Sequence, residues 1–175
     1  SLSHRKIAIV NSLGVEVEDE STSISFTAFC IVKRGEDVGS YYEYDFGRRL
    51  RDVDPVKIGE TAGREALKFL GAKKVETKAM PVILHFIPAA SLIMSVLNAA
   101  NAESIQRRRS YLVDKLETKI APDFLTVYDD GTIDYGVRSS TYDAEGVPKR
   151  RILVIENGVL KTYLHNSYTC LLYTS

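Results

Sequence analysis

Apolar and polar positions alternate through much of the first fifty residues, the pattern of strands with one face covered. A short apolar run at 6–11 closes on Asn11-Ser-Leu-Gly14, a strand followed by a turn. Alternation at 15–18 leads into 23–32, rich in β-branched and aromatic residues, and Gly35-Glu-Asp37 turns the chain into 38–46 with Tyr41, Tyr42 and Tyr44. These segments predict an antiparallel meander with its tyrosines partly at the surface.

The period then lengthens. Asp54-Pro55 supplies an N-cap and a first helical residue, Ile58, Ala62, Ala66 and Leu70 recur every fourth position, and Gly71 ends the pattern. An amphipathic helix is expected. Gly59 and Gly63 lie on a neighbouring stripe, where close packing of helix on sheet is the expectation; the spacing of a phosphate-binding loop is lacking.

Gly71-Ala-Lys-Lys74 marks the expected boundary between a central α+β domain, 1–74, and the start of a β-rich domain, 75–175. Val75 and 81–86 read as strands, with His85 a structural histidine rather than a ligand. A second helix is expected over 88–104. Leu92, Ile93, Met94, Val96, Leu97, Ala99 and Ala100 cover most of its circumference, which predicts burial nearly all round. Arg107, Arg108 and Arg109 follow at its exit, where cations complement the helix dipole; 111–120 fits either helix or strand.

Between 124 and 165 turn chemistry dominates. Asn157-Gly158 separates two strand-like runs and fits a type I′ hairpin, which sets Ile155 beside Leu160 and Leu153 beside Thr162. One face should cover a core, and the hairpin edge around Val154, Lys161 and Tyr163 is a place where an extended peptide could add as a strand. Asp129-Asp130-Gly131 reads as a turn, and Asp143 as a residue that bonds its own backbone two residues on. Turn architecture therefore outweighs an acid/base pair for Asp129, Asp130, Asp134, Asp143 and Glu145.

Charge narrows the classes. Lys plus Arg and Asp plus Glu are 23 each, so no global field draws nucleic acid or an acidic membrane. Tyrosines beside Arg48, Arg49 and Arg51 are better read as strand surface than as a base-stacking platform. Cys30 and Cys170 are too far apart for a Cys-x-x-Cys site, and a reducing cytoplasm is the expected setting. Residues 81–97 are interrupted by His85, Pro88 and two serines and fall short of a membrane span. The opening residues lack a signal-peptide pattern, and His4, His85 and His165 support no Ser/His/Asp arrangement.

Three motifs in order, Tyr128-Asp-Asp-Gly-Thr132, Asp143-x-Glu145-Gly146-Val147-Pro148 and Ile155-Glu-Asn-Gly-Val-Leu-Lys-Thr-Tyr-Leu164, resemble the TldD/PmbA family, once labelled modulators of DNA gyrase. Ile58-Gly-Glu-Thr-Ala62 and Arg109-Ser-Tyr-Leu112 extend the likeness. It implies an α+β fold of antiparallel sheets with packed helices, in two partial domains. The motif positions Ser110, Asp130, Gly131, Asp143, Glu145, Gly146, Pro148, Asn157 and Gly158 become structural or interface candidates, with no catalytic or metal-binding residue among them.

The resemblance also implies a division of labour. One subunit type carries His-Glu-x-x-x-His on a helix at about 88–104, whereas this chain has Ile93, Met94 and Asn98 in the matching segment. It therefore resembles the metal-free PmbA/TldE type, expected to hold no cofactor, with zinc on a TldD-like partner and a peptide or unfolded segment as substrate. A non-enzymatic interaction or homo-oligomeric scaffold explains the missing ligands equally well. The start at Ser1 and the departure from the family pattern over 170–175 lead us to expect a fragment whose last residues are foreign.

Overall fold

The computed structural model describes residues 1–171, and β2 (Glu16–Arg34) runs unbroken for 19 residues. The two strand segments expected at 15–18 and 23–32 are thus one. Strand β2 pairs antiparallel with β1 (Leu2–Val10) on one side and with β3 (Asp37–Gly47) on the other. Its coverage changes sides midway. Val17, Asp19, Ser21 and Ser23 are half-buried, and then Ile24, Ala28, Cys30 and Val32 take over.

Helix α1 (Pro55–Lys68) covers the second set. The Asp54 side chain accepts hydrogen bonds from the backbone N–H groups of Val56 and Lys57, both at 3.1 Å, Pro55 opens the first turn, and Gly71 takes φ +75° beyond the end. Ile58, Ala62 and Ala66 are buried. The close approach falls on the sheet: a Cβ at Gly39 would collide with the Ala66 carbonyl oxygen, whereas nothing lies within 4 Å of one at Gly59 or Gly63. Those helix glycines do not serve the close packing expected of them.

Two units divide the chain. The first is Ser1–Lys78 with Gly131–Lys149, and the second is Ala79–Asp130 with Arg150–Ser175. Within the first, 131–149 returns to the sheet and covers the half-buried residues of β1 and the start of β2; Gly146, at φ +80°, lies against Val15, Val17 and Ile9.

In the second unit β4 (Val127–Asp130), β5 (Arg151–Glu156) and β6 (Val159–Leu160) form an antiparallel sheet in that order. Ile155 does pair with Leu160, and Asn157 (φ 47°) and Gly158 (φ 82°) make the positive-φ turn. The expected pairing of Leu153 with Thr162 lies beyond the two residues of β6. Gly158 meets two demands at once, because a Cβ there would also strike the carbonyl oxygen of Ala121.

The candidate peptide-binding edge requires correction. Strand β5 is central, and its consecutive residues Val154 and Ile155 are 0% and 1% exposed, so both faces are covered. Across β6, Glu117 N–H donates to Leu160 O at 2.8 Å and Leu160 N–H to Thr118 O at 3.1 Å. Lys161 pairs with Glu117, and Tyr163 is buried with its hydroxyl donating to Leu112 O at 2.8 Å. Val154→Pro should therefore break the core ladder, at a cost of about 3 kcal/mol or more, and urea unfolding would register it as lost folding rather than as a selective binding defect.

Other segments differ for tertiary reasons. Residues 75–85 form no strand, since no described strand pairs with them, and Ile83 is fully exposed. The second helix is shorter and open: α2 (Phe86–Ala99) has no buried residue, with Leu92 57% and Met94 45% exposed. His85 precedes it as N-cap, ring against Phe86. A separate α3 (Ala102–Gln106) starts at Asn101, whose side chain caps Glu103 and Ser104. Residues 107–120 are neither helix nor strand but turns, with Arg108, Asp114 and Glu117 at positive φ. The core gathers Ala100, Ala102, Ile105, Leu112, Val127, Val154, Ile155, Leu160 and Tyr163, and α4 (Ser167–Leu171) ends the described chain. The expectation of foreign residues at 170–175 falls largely outside the described residues. No helix among these residues is long and apolar enough to cross a membrane.

The glycine assignments separate in unfolding experiments. Gly39→Ala should destabilise by about 1–3 kcal/mol, because helix backbone must move off the sheet. Gly59→Ala, on an open helix surface, should be neutral or stabilising by up to about 1 kcal/mol. Thermal melts of both variants would check the pair.

Candidate functional site

The first unit holds a groove of about 640 Å³ between the face of β1–β2 and the returning segment 131–149. Alternation builds one wall: Ser3, Arg5, Ile7 and Ile9 on β1 stand opposite Ser23, Ser21, Asp19 and Val17 on β2. The other wall includes Arg138, Ser139, Ser140, Tyr142, Asp143 and Lys149. The groove as a whole is mixed: serines and charged side chains of both signs share it with the apolar Ile7, Ile9 and Val17 of the sheet wall.

Arg48 holds the returning segment in place. Its Nε donates to Gly136 O at 3.0 Å, and its two terminal nitrogens donate to Thr22 O at 3.1 Å and Ser139 O at 2.5 Å. Asp19 adds a second tie, accepting from the Thr141 N–H and hydroxyl at 3.3 Å. Beside Arg48, Asp52 accepts from the backbone N–H groups of Arg48 (3.1 Å) and Arg49 (2.9 Å) and from Arg49 Nε (2.8 Å). Desolvation pushes the Asp52 carboxyl up, but hydrogen bonds from the Arg49 backbone and side chain and the Arg48 backbone outweigh it. The carboxyl rests below the ordinary aspartate value.

The family-motif residues act locally. Asp143 is an Asx turn, its Oδ1 accepting from Glu145 N–H at 2.8 Å and Val147 N–H at 2.9 Å, while Tyr142 bridges Pro148. Glu145 is exposed on this loop, and Gly131 leaves room for the Lys149 side chain. These residues belong to the first unit. In the second, Ser110 Oγ donates to Ala99 O at 2.6 Å and accepts from Leu112 N–H at 3.0 Å. Asp129 and Asp130 lie in β4, not in a turn, because the strand continues against Ile152 and Arg151. Arg151 reaches Asp130 at 3.7 Å and stacks over Tyr128. Asn157 and Gly158 form the hairpin turn.

No metal-ligand set stands on α2. Ile93 is hydrocarbon, Met94 a thioether and Asn98 an amide, so the segment does not fit zinc, which takes imidazole, thiolate or carboxylate. Among the described residues no three His, Cys, Asp or Glu side chains converge. What sequence reading missed is the groove. Its signal was present as polar residues at alternate positions, Ser3 and Arg5 on one strand and Asp19, Ser21 and Ser23 on the next, but the opposite wall comes from residues more than a hundred positions later.

Residues 1–70 match the PmbA/TldA metallopeptidase central domain and residues 77–173 the PmbA/TldA metallopeptidase C-terminal domain. The chain belongs to the PmbA/TldD metallopeptidase family. It is 28% identical over 168 residues to the metalloprotease PmbA homolog of Buchnera aphidicola from Acyrthosiphon pisum, a match covering 95% of this chain and 38% of that one. A Thermotoga maritima structure described as a candidate modulator of a DNA gyrase has TM-score 0.89 and 30% identity, covering 97% of this chain and 39% of its own. TldE from Thermococcus kodakarensis shares the fold, with TM-score 0.81, 24% identity and coverage of 99% and 40%. The chain thus spans about two fifths of the length of these relatives.

Acid should weaken the Arg48–Asp52 corner. A carboxyl held below its ordinary value of 3.8 contributes stability that is complete above that value and disappears as pH falls through the lowered one. Asp52→Asn should melt below the parent at pH 7, and the two melting curves should converge as the pH drops below about 4; an equal gap at every pH would contradict the assignment.

Proposed function

We propose that this chain is part of a metal-free, PmbA/TldE-type subunit of a two-subunit metallopeptidase that processes or degrades peptides and unfolded segments. The observation that carries the reading is α2, where Ile93, Met94 and Asn98 stand in the segment that bears the metal motif in the other subunit type. Zinc and the general base would then lie on a TldD-like partner, and this subunit would complete and shape the chamber. The open apolar side chains of α2, Phe86 at 69% and Leu92 at 57% exposure, favour cover by a further protein surface. Equal numbers of basic and acidic residues favour a peptide-handling role over DNA binding, and the paucity of cysteine fits a cytoplasmic setting.

The test is metal content and peptidase activity of the full-length protein, alone and with its TldD-like partner. Metal and activity confined to the complex are expected. Stoichiometric zinc with activity in the lone subunit would refute the division of labour.

A further inference from the structure

We propose that the groove of the first unit binds a small organic polyanion, one carrying two or more carboxylate or phosphate groups. The proposal is independent of subunit type. Four cations line the groove, Arg5, Arg48, Arg138 and Lys149, against the carboxylates of Glu18, Asp19 and Asp143. Glu18 is engaged by Lys6 at 3.2 Å, Asp19 by Thr141 and Asp143 by its own turn. The side chains of the four cations form no ion pair with Glu18, Asp19 or Asp143, whose oxygens are engaged as described. Arg48 donates to three carbonyl oxygens, and Lys149 Nζ to the Arg138 carbonyl at 3.3 Å.

The surplus is local, since the chain is neutral overall. Guanidinium groups match carboxylate and phosphate oxygens in paired geometry, and the hydroxyls of Ser3, Ser21 and Ser23 beside Arg5 add donors of the same use. Ile7, Ile9 and Val17 offer the apolar end that a carbon skeleton would meet. A groove of about 640 Å³ is sized for a small molecule, within the ordinary range of ligand sites. Asp19 and Arg48 fix the opposite wall without consuming Arg5 or Arg138, both of which remain exposed.

Citrate and pyrophosphate, titrated separately by calorimetry into the full-length protein, distinguish carboxylate from phosphate chemistry. Binding of at least one is expected, weakened about tenfold or more by Arg5→Ala with Arg138→Ala, surface changes that should leave the melting temperature near the parent's. Ser21→Asp, which adds a negative charge beside Arg5, should abolish the same binding. The proposal is overturned if neither anion binds at millimolar concentration, or if binding persists undiminished in both variants.

Discussion

A strand of 19 residues is too long for one helix to cover, and that mismatch governs the first unit. At ~3.3 Å per residue β2 reaches roughly 60 Å, whereas the 14 residues of α1 extend only ~21 Å. The remainder needs another cover, and 131–149 supplies it on the opposite face. Because that cover is irregular, its carbonyl groups need donors from elsewhere, and Arg48 supplies two of them, to Gly136 O and Ser139 O, while its third hydrogen bond ties it to Thr22 O on β2. The groove is the space left between a flat alternating sheet and a segment held at a few points.

The second unit solves the converse problem. Its sheet is short, yet β5 is covered on both faces, so the consecutive residues Val154 and Ile155 are both lost to solvent. The Asn157-Gly158 turn fits only because glycine clears the Ala121 carbonyl. Ile120 and Ala121 N–H groups both donate to Gly158 O, at 2.8 and 3.1 Å, so the same contact that forbids a side chain also anchors the hairpin.

Local chemistry was legible in the sequence. Asp54-Pro55, Gly71, Asn157-Gly158 and the Asx turn at Asp143 each act within a few residues, and each appears as read. Nonlocal coverage was not. The apolar run at 81–86 resembles a strand but finds no partner, α2 resembles a buried helix but stands open, and β5 reads as half-exposed but is enclosed. Asp129 and Asp130 carry turn residues into a strand because Ile152 and Arg151 pair with them. The α+β class survives these differences, because the meander, the capped helix and the final hairpin that define it are fixed locally. The groove stayed hidden because its walls are joined by folding alone.

On the face of β2–β3 away from α1, Tyr42, Tyr44 and Phe46 stack in sequence, with ring centres 6.2 and 6.0 Å apart, next to exposed Phe29 and Ile31. The chain contains ten tyrosines and no tryptophan. Its ultraviolet emission is consequently tyrosine emission, and this row of rings sits where solvent reaches it. Anything that settles on the sheet changes the light these side chains return, so the molecule carries its own optical gauge of whether that face is wet or covered.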